Sequence, residues 1–275
     1  IMSQLTVDDV KCTRCGICVK ECPPRIIEML DPKALPTVIP DQAERCITCG
    51  HCVTVCPFAA IGLKAMKPED CDLVSRALIP TAEQVEIFLK SRRSIRVYQE
   101  KTVPHAVLSK LIDIARYAPS GHNAQPVHWL VVEDPGKVRK LASLVIDWMN
   151  LLNRKSPRLM EQFHFDIFVN AWERGEDRVL RGAPHVIVAH APKDTAMAQE
   201  NSAIALTFLE LAAYSEGLGA CWAGYLLAAA SSFPALINEL ALPGGHKCFG
   251  AMMVGYPKYE FKRIPLRNEP SIIWR

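Results

Sequence analysis

A cysteine motif that occurs twice near the N-terminus constrains this chain more than any other feature. The first copy reads Cys12-x2-Cys15-x2-Cys18-x3-Cys22-Pro23, and the second reads Cys46-x2-Cys49-x2-Cys52-x3-Cys56-Pro57. Two-residue gaps let three thiolates converge from one tight loop, and a cubane cluster of the 4Fe–4S type needs four such thiolates. The repeat therefore predicts two 4Fe–4S clusters within residues 1–62.

The segment from about residue 5 to 62 resembles the bacterial-type two-cluster ferredoxins, including the proline after the last cysteine of each motif. In that group the fourth cysteine of each motif ligates the other cluster. The resemblance implies that one cluster is held by Cys12, Cys15, Cys18 and Cys56. It implies that the other cluster is held by Cys46, Cys49, Cys52 and Cys22.

Two alternatives stay open for these motifs. Zinc also takes four cysteines from CxxC pairs, although a zinc site usually separates two pairs by a longer spacer than these runs contain. The clusters could also be purely structural. Two clusters with crossed ligation are more typical of an electron relay, and we expect a relay.

The remaining composition narrows the class of protein. Eight of the eleven cysteines lie in the two motifs, which favours metal ligation in a reducing compartment and predicts a cytoplasmic protein. The net charge of +3 gives no indication of nucleic-acid binding. Polar residues interrupt the first fifteen positions, so no signal sequence is expected. The apolar run at 204–213 is too short to span a membrane and predicts a buried helix.

Patterning predicts a connector at residues 63–80 and a second domain at residues 81–275. A capping box at Thr81–Gln84 opens a helix, and helical spacing recurs at residues 104–115, 137–148 and 198–216. Strands are predicted at residues 128–132, 185–189 and 247–254. Residues 118–126 read as a loop, and residues 150–181 as a surface excursion. Few strands separated by helices indicate an α+β fold.

Four stretches of the second domain carry a family resemblance. They are Ser91–Arg96 (SRRSIR), Ala118–Pro126 (APSGHNAQP), Gly217–Gly224 (GLGACWAG), and a C-terminal pair formed by Gly255-Tyr256-Pro257 and Arg263-Ile264-Pro265. In this order, over about residues 81–275, they resemble the nitroreductase flavoproteins. The resemblance implies an interleaved α+β homodimer that binds FMN non-covalently at the subunit interface and reduces a small acceptor.

The resemblance assigns the basic residues to FMN. Arg92 and Arg263 match phosphate-binding arginines, a role that suits the planar guanidinium fork. Arg93 and Ser94 would contact the phosphate or the ribityl chain. Arg96 matches the cation beside N1 and the C2 carbonyl, where positive charge favours the reduced, anionic ring.

The remaining family positions surround the flavin ring. Pro119, Ser120, Gly121 and Asn123 match a loop that reaches the ring from the other subunit. Ala223 and Gly224 match the backbone that faces N5, with the Ala223 N–H as the expected donor. Arg96 and Ala223 are therefore the candidate catalytic positions, and the other named residues are candidate cofactor ligands.

Each assignment has a plainer alternative. The arginines could form a solvated helix end, and the loop at 118–126 could be an ordinary turn. Cys221, Cys71 and Cys248 are more typical of small packing residues than of redox groups. His122 could contact substrate or solvent, and Trp222 is more typical of a core residue.

Two departures from the family pattern limit the assignment. Phe261 stands where some relatives carry a lysine, so phosphate binding would depend on the arginines. Residues 150–181, where the substrate-facing segment is expected, match no relative and leave the acceptor open.

The fusion predicts an FMN-dependent oxidoreductase in which the two clusters relay electrons to FMN for the reduction of a small organic acceptor. The expected donor is a ferredoxin or NAD(P)H, because nitroreductases bind nicotinamide without the GxGxxG fingerprint that this chain lacks. Two alternatives remain. One is an electron-carrier module that serves a protein partner, and the other is an NAD(P)H-dependent flavin or nitro reductase with the clusters as an outgoing relay.

Overall fold

The computed structural model describes residues 5–155 and 164–275. The chain divides into two compact units. The first is formed by the chain up to Pro80 together with His122–Ala124, and the second by Thr81–Gly121 and Gln125–Arg275.

The first unit consists of short elements wrapped around the cysteines. They are β1 (Leu5–Val7), α1 (Ile17–Glu21), β2 (Ile27–Glu28), β3 (Thr37–Val38), α2 (His51–Thr54) and β4 (Ile61–Leu63). Strand β1 pairs with β4 and β2 pairs with β3, both antiparallel. Cys18, Cys22 and Cys52 are buried with Ile26, Ile61 and other apolar side chains, so the sulfurs form part of the core.

The cysteine repeat is also a repeat of backbone conformation. Gly16 and Gly50 have φ of 70° and 74° and begin α1 and α2, and Arg14 and Thr48 just before them also have positive φ. Each pair has the same separation in sequence as Cys12 and Cys46. Left-handed backbone is cheapest for glycine, which explains why glycine follows the second cysteine of both motifs.

Residues 63–80, predicted as a connector, group with the first unit. Leu63 is the last residue of β4 and is 4% exposed, and Cys71 packs against the same core. The boundary of the unit therefore falls later in sequence than the cysteine pattern alone suggested.

The second unit is an antiparallel sheet between two helical layers. Its elements are α3 (Ala82–Ser91), α4 (His105–Ala115), β5 (His128–Val132), α5 (Pro135–Lys155), α6 (Phe165–Glu173), β6 (His185–Pro192), α7 (Ala198–Ser215), β7 (Gly219–Trp222), α8 (Gly224–Ala230), α9 (Pro234–Leu240) and β8 (His246–Gly255). The strand order is β5-β6-β8-β7. A register shift between Ala189 and His190 interrupts the β6–β8 ladder.

Side chains that alternate along β6 pack into two hydrophobic cores, one on each face of the sheet. Val186 and Val188 pack with α5, α6, α8 and α9, whereas Ile187 and Ala189 pack with α4 and α7. All four side chains are fully buried. A strand covered on both faces reads as a continuous apolar run, which is what residues 186–189 show between the buried His185 and His190.

Helix α3 begins as the sequence predicted. Thr81 Oγ1 accepts from the Gln84 N–H at 3.3 Å, and the Thr81 N–H donates to Gln84 Oε1 at 2.8 Å, which completes the capping box. None of the residues of α3 is buried in the single chain.

The structure corrects the predicted surface excursion at 150–181. Helix α5 continues to Lys155, and α6 follows with Phe165 and Ala171 buried. Val179 and Leu180 join the same core. Residues 156–163 of this prediction lie outside the described residues. Most polar residues in the described part of this segment face solvent, and they obscured the apolar side chains that α6 buries.

Strand β7 was not predicted, because Gly217 and Gly219 were read only as the end of α7. Gly217 has φ of 71° and does end that helix, but β7 starts two residues later. Over residues 5–155 and 164–275, no helix combines the length and hydrophobicity needed to cross a membrane.

Candidate cofactor sites

The first three cysteines of the first motif lie together. Burial raises the pKa of the Cys18 thiol, and the nearby Cys12 and Cys15 sulfurs add to the rise. Cys15 is exposed, whereas Cys18 is 6% exposed. The loop therefore places the Cys12 and Cys15 sulfurs within electrostatic reach of the buried Cys18 sulfur.

The second set combines both motifs. The pKa of the Cys52 thiol is raised to about 11, mainly by burial and in smaller part by the sulfurs of Cys49, Cys22 and Cys46. These four cysteines line one small cavity with Leu5, Ile26, Ile27 and Val38. Cys22 thus lies with the three leading cysteines of the other motif, as crossed ligation requires.

The donor set fits iron–sulfur clusters. The cavity lined by Cys22, Cys46, Cys49 and Cys52 is otherwise walled mostly by apolar side chains, so its donor atoms are thiol sulfurs, the ligands that 4Fe–4S clusters use. The Ala60 N–H also donates to Cys56 Sγ at 3.3 Å, a contact of the kind that tunes cluster sulfurs.

The second unit contains a cavity of about 670 Å³ beside the β7–α8 junction. Arg96 and Gly224, two of the predicted flavin contacts, lie in its wall with Cys221 and Trp222. Trp148, Phe165 and Tyr225 form an aromatic side. A large, mostly apolar cavity with a few polar groups is the usual form of a cofactor or substrate site.

The structure corrects the predicted donor at the flavin N5. The Ala223 N–H donates to the Ala251 carbonyl at 2.8 Å, and Ala223 is 2% exposed. This bond continues the β7–β8 ladder, in which Trp222 pairs with Met252. Gly224 is exposed and is the first residue of α8, where a helix leaves its N–H groups without intrahelical partners. The available donor is therefore the Gly224 N–H.

Arg92 and Arg93 lie at the end of α3 with their side chains engaged. Arg92 Nη1 donates to Glu210 Oε1 at 2.7 Å, and Glu210 is a buried carboxylate on α7. Arg93 donates to the carbonyls of Arg92 and Lys90. Burial lowers the pKa of Arg93, and the charges of Arg267 and Arg92 lower it further. Arg267 is therefore close to this pair.

Residues 258–275 are all exposed, Arg267 included. Arg263 is exposed, as is Phe261. Sequence reasoning missed Arg267, although its spacing from Arg263 is visible in the same basic run.

Ser94 and Cys221 meet beside Arg96. Burial raises the pKa of the Cys221 thiol, while Arg96, Arg181 and a hydrogen bond with Ser94 oppose the rise. Arg96 itself makes only a 3.4 Å contact with the Ser94 carbonyl. Over residues 5–155 and 164–275, its guanidinium has no other hydrogen-bond partner.

The predicted loop 118–126 lies elsewhere. Pro119 and Ser120 line a separate cavity of about 110 Å³ with Asn201, whose Oδ1 accepts from the Gly121 N–H at 3.2 Å. Within the first unit, Asn123 Nδ2 donates to the carbonyls of Ile47 and Thr48 at 3.2 and 3.1 Å. His122 is exposed with φ of 52°. Among the described residues that line the 670 Å³ cavity, Pro119, Ser120 and Gly121 do not occur.

Comparisons with known proteins agree with both halves of the chain. Residues 89–256 match the nitroreductase family, and residues 11–61 match the 4Fe–4S dicluster domain. The chain therefore belongs to the nitroreductase family and carries a ferredoxin-type dicluster domain ahead of the family segment.

Individual relatives are distant. An NADH dehydrogenase of Thermus thermophilus is 27% identical over 216 residues, which are 72% of this chain and 99% of that protein. A nitroreductase of Bacteroides fragilis, solved with bound FMN, has a TM-score of 0.58 at 24% identity, over 71% of this chain and 100% of its own. An FMN-bound nitroreductase of Desulfitobacterium hafniense has a TM-score of 0.57 at 22% identity, over 71% and 99% of the two chains. These structures share the α+β fold of the second unit.

Proposed function

We propose that this nitroreductase-family oxidoreductase binds FMN and reduces a small organic acceptor with electrons that arrive through two 4Fe–4S clusters in its own first unit. The observation that carries the proposal is the occurrence, in one chain, of an all-sulfur site built from both cysteine motifs and a flavin-sized cavity lined by Arg96 and Gly224. Neither unit alone has both an electron entry and an acceptor site.

The cysteines would hold the clusters in crossed sets. Cys46, Cys49, Cys52 and Cys22 would hold one cluster, and Cys12, Cys15, Cys18 and Cys56 the other. A bound 4Fe–4S cluster passes one electron at a time. The exposed Cys15 gives the first set an edge that a donor protein can reach.

Two groups of the second unit would control the flavin. FMN stores two electrons when bound and releases them singly or as a pair. The exposed, nearly unengaged guanidinium of Arg96 would face the part of the ring that gains negative charge. The Gly224 N–H would donate at N5, in place of the Ala223 N–H.

The phosphate would lie near the cluster of Arg92, Arg93 and Arg267, with Arg263 on the same C-terminal segment. Arg93 already has its pKa lowered by burial and by these neighbouring cations, so an anion placed among them would relieve their repulsion. Guanidinium groups bind phosphate through paired, charge-assisted hydrogen bonds.

A homodimer would complete the site. Residues 258–275 have no helix or strand, and Leu266, Ile273 and Trp274 on this segment are 97%, 81% and 86% exposed. Ile204 and Phe208 on α7 are partly exposed as well. Apolar surface on this scale marks an interaction site in soluble proteins. A second copy would cover it and bring its own loop 118–126 to the flavin.

The test is anaerobic reduction of the reconstituted, full-length protein, followed by the bleaching of flavin absorbance. Reduced ferredoxin and NADPH or NADH are compared as donors, with wild type beside a variant in which Cys18 and Cys52 are replaced by serine. We expect ferredoxin-dependent bleaching to be lost in the variant while FMN stays bound. Equal rates in both proteins would remove the clusters from the entry route.

A further inference from the structure

The 670 Å³ cavity has an unusual distribution of charge. Among the described residues that line it, three are arginines (Arg96, Arg178 and Arg181) and none is acidic. The rest of the wall is mostly apolar and aromatic. Such a cavity favours a flat, apolar ligand that carries negative charge at one end.

The three cations are not equivalent. Arg178 donates twice to the Glu176 carboxylate, at 2.9 Å each, so its charge is already balanced. Arg96 is the cation that the proposed function assigns to the flavin. Arg181 makes no hydrogen bond or ion pair with any residue in the described ranges, and it lies within electrostatic reach of Cys221. The Glu176 carboxylate is also within electrostatic reach of Arg181, but no described residue accepts a hydrogen bond from the Arg181 guanidinium, whose N–H groups are therefore open to a ligand.

Hydrogen bonds to one carboxylate fix the backbone of the loop that carries Arg181. Asp177 Oδ1 accepts from the Val179 and Leu180 N–H groups at 2.9 Å each, and Asp177 Oδ2 accepts from the Gly182 N–H at 3.0 Å. Val179 and Leu180 are buried in the core. These anchors fix the backbone on both sides of Arg181.

The backbone of Arg181 is itself in an unfavourable conformation. Its φ of 59° lies in the left-handed region, where a residue with a Cβ is disfavoured. Strain of this kind persists only where the surrounding structure enforces it, and it concentrates at ligand sites. The anchors at Asp177 enforce it here and hold the side chain in the cavity wall.

We propose that Arg181 determines acceptor specificity by binding the carboxylate of an aromatic acid whose ring lies against the aromatic wall of the cavity. This inference rests on the proposed function, because the acceptor must share the cavity with FMN. A guanidinium on a preorganised loop binds a carboxylate through two parallel hydrogen bonds, and a matched neutral amide cannot replace both.

Equilibrium binding tests the inference without turnover. Oxidised, FMN-loaded protein is titrated in a calorimeter with 4-nitrobenzoate and with 4-nitrobenzamide, which have the same shape and differ in charge. Wild type should bind the carboxylate at least about tenfold more tightly than the amide. Arg181→Gln should weaken carboxylate binding by about 10- to 100-fold and change amide binding by less than about twofold. Arg181→Lys should retain part of the preference.

Arg174→Gln is the matched control, because it removes the same charge from the same segment outside the cavity lining. It should leave both affinities within about twofold. If Arg181→Gln does not fold, the inference is tested by measuring how the affinity of wild type for each probe depends on salt. Binding of 4-nitrobenzoate should weaken as the ionic strength rises, and binding of 4-nitrobenzamide should not. Equal wild-type affinities for the two probes would overturn the inference.

FMN affinity and donor-dependent bleaching are measured on the same samples. If Arg181→Gln weakens the binding of FMN and not that of the carboxylate probe, Arg181 is a cofactor ligand and the inference fails. If the protein binds FMN and the flavin is reduced, but 4-nitrobenzoate binds no more tightly than 4-nitrobenzamide, this inference is overturned and the proposed function is not. Protein that holds no FMN overturns the proposed function; the same titration is then made on the cofactor-free protein, where absence of the preference also overturns the inference.

Discussion

Arg92 at the end of α3 donates a 2.7 Å hydrogen bond to the buried carboxylate of Glu210 on α7. Burial raises the pKa of Glu210, and the guanidinium opposes that rise. The arginine that the sequence assigned to the FMN phosphate thus already neutralises a carboxylate in the single chain. A structural contribution and a cofactor contribution of Arg92 must therefore be separated by experiment.

Arg92→Gln should lower the free energy of unfolding by about 1–3 kcal/mol, because it leaves a buried carboxylate without its charged partner. It should also weaken FMN binding by roughly 1.5–3 kcal/mol if the guanidinium bonds to the phosphate. Denaturant unfolding of the FMN-free protein measures the first effect, and fluorescence titration with FMN measures the second.

The control for Arg92 is the double variant Arg92→Gln, Glu210→Gln. It removes both charges at similar shape, so most of the lost stability should return while FMN binding stays weak. If the double variant also recovers FMN affinity, Arg92 acts on FMN only by supporting the fold.

Gly224→Pro should disturb the flavin without unfolding the chain, because proline lacks an N–H and is well tolerated at the first position of a helix. The residue before it, Ala223, has ψ of 62°, outside the helical region that a following proline disfavours. We expect the flavin reduction potential to fall and the rate of flavin reduction to drop by about tenfold or more, as is typical for the loss of one catalytic donor.

Gly224→Ala is the matched control for the proline. A Cβ at Gly224 meets no atom within 4 Å, so alanine keeps the N–H and adds little else. Spectroelectrochemistry of the two FMN-loaded variants should separate them. A normal potential in Gly224→Pro would exclude the Gly224 N–H as the flavin donor.

Local signals in the sequence predicted much of the fold. The capping box at Thr81, strand β5 and most of α4, α7 and β8 follow from caps and apolar periodicity, which act within a few residues. Strand β7 was not predicted, because Gly217 and Gly219 resemble a helix end. The segment becomes a strand through its pairing with β8, which the local sequence does not show. The assignment to the nitroreductase family also came from short motifs and is confirmed.

The candidate site was less predictable, because its details depend on tertiary partners. Nothing in the sequence around Ala223 shows that its N–H is taken by Ala251 in a strand about thirty residues away. The partner of Arg92 is equally remote in sequence. Arg181 was not predicted as a site residue, because it lies in the segment that was predicted to be a surface excursion. Asp177 followed closely by Gly182 is a turn signal that the sequence does show.

Cys22→Ser should affect the cluster site of the second motif, because Cys22 lies with Cys46, Cys49 and Cys52. Reconstituted wild type should hold about eight iron atoms per chain, since each of two clusters contains four. Cys22→Ser should lose or alter the signal of one cluster in electron paramagnetic resonance, and the affected signal should be the one that Cys52→Ser removes. Loss of the Cys18-dependent signal instead would reverse the crossed assignment, and stoichiometric zinc with little iron would remove both clusters.

Three histidines cluster at one end of the sheet of the second unit, and one of them provides a test of how stability depends on pH. His190 on β6 is 5% exposed, and its Nδ1 lies 2.9 Å from Nδ1 of His246 on β8. Its ring also stacks on His128, its cross-strand partner on β5, with 5.6 Å between centroids. The pKa of His190 is lowered to about 4, mainly by burial and in smaller part by the neighbouring His246 and His128.

The sign of the resulting effect is fixed by which state binds the proton. Between pH 6.5, the ordinary pKa, and about 4, the unfolded chain protonates this histidine and the folded chain does not. The His190 contribution is therefore complete above pH 6.5, falls as the pH falls, and is constant below about pH 4. A shift from 6.5 to about 4 corresponds to at most about 3.4 kcal/mol.

Urea unfolding between pH 7.5 and 4 should therefore show a steeper loss of stability in wild type than in His190→Gln, which keeps a polar group but cannot titrate. The difference between the two curves isolates His190 from the carboxylates that also titrate at the acidic end. Parallel curves for wild type and His190→Gln would show that His190 is solvated enough in the folded protein to protonate as freely as in the unfolded chain.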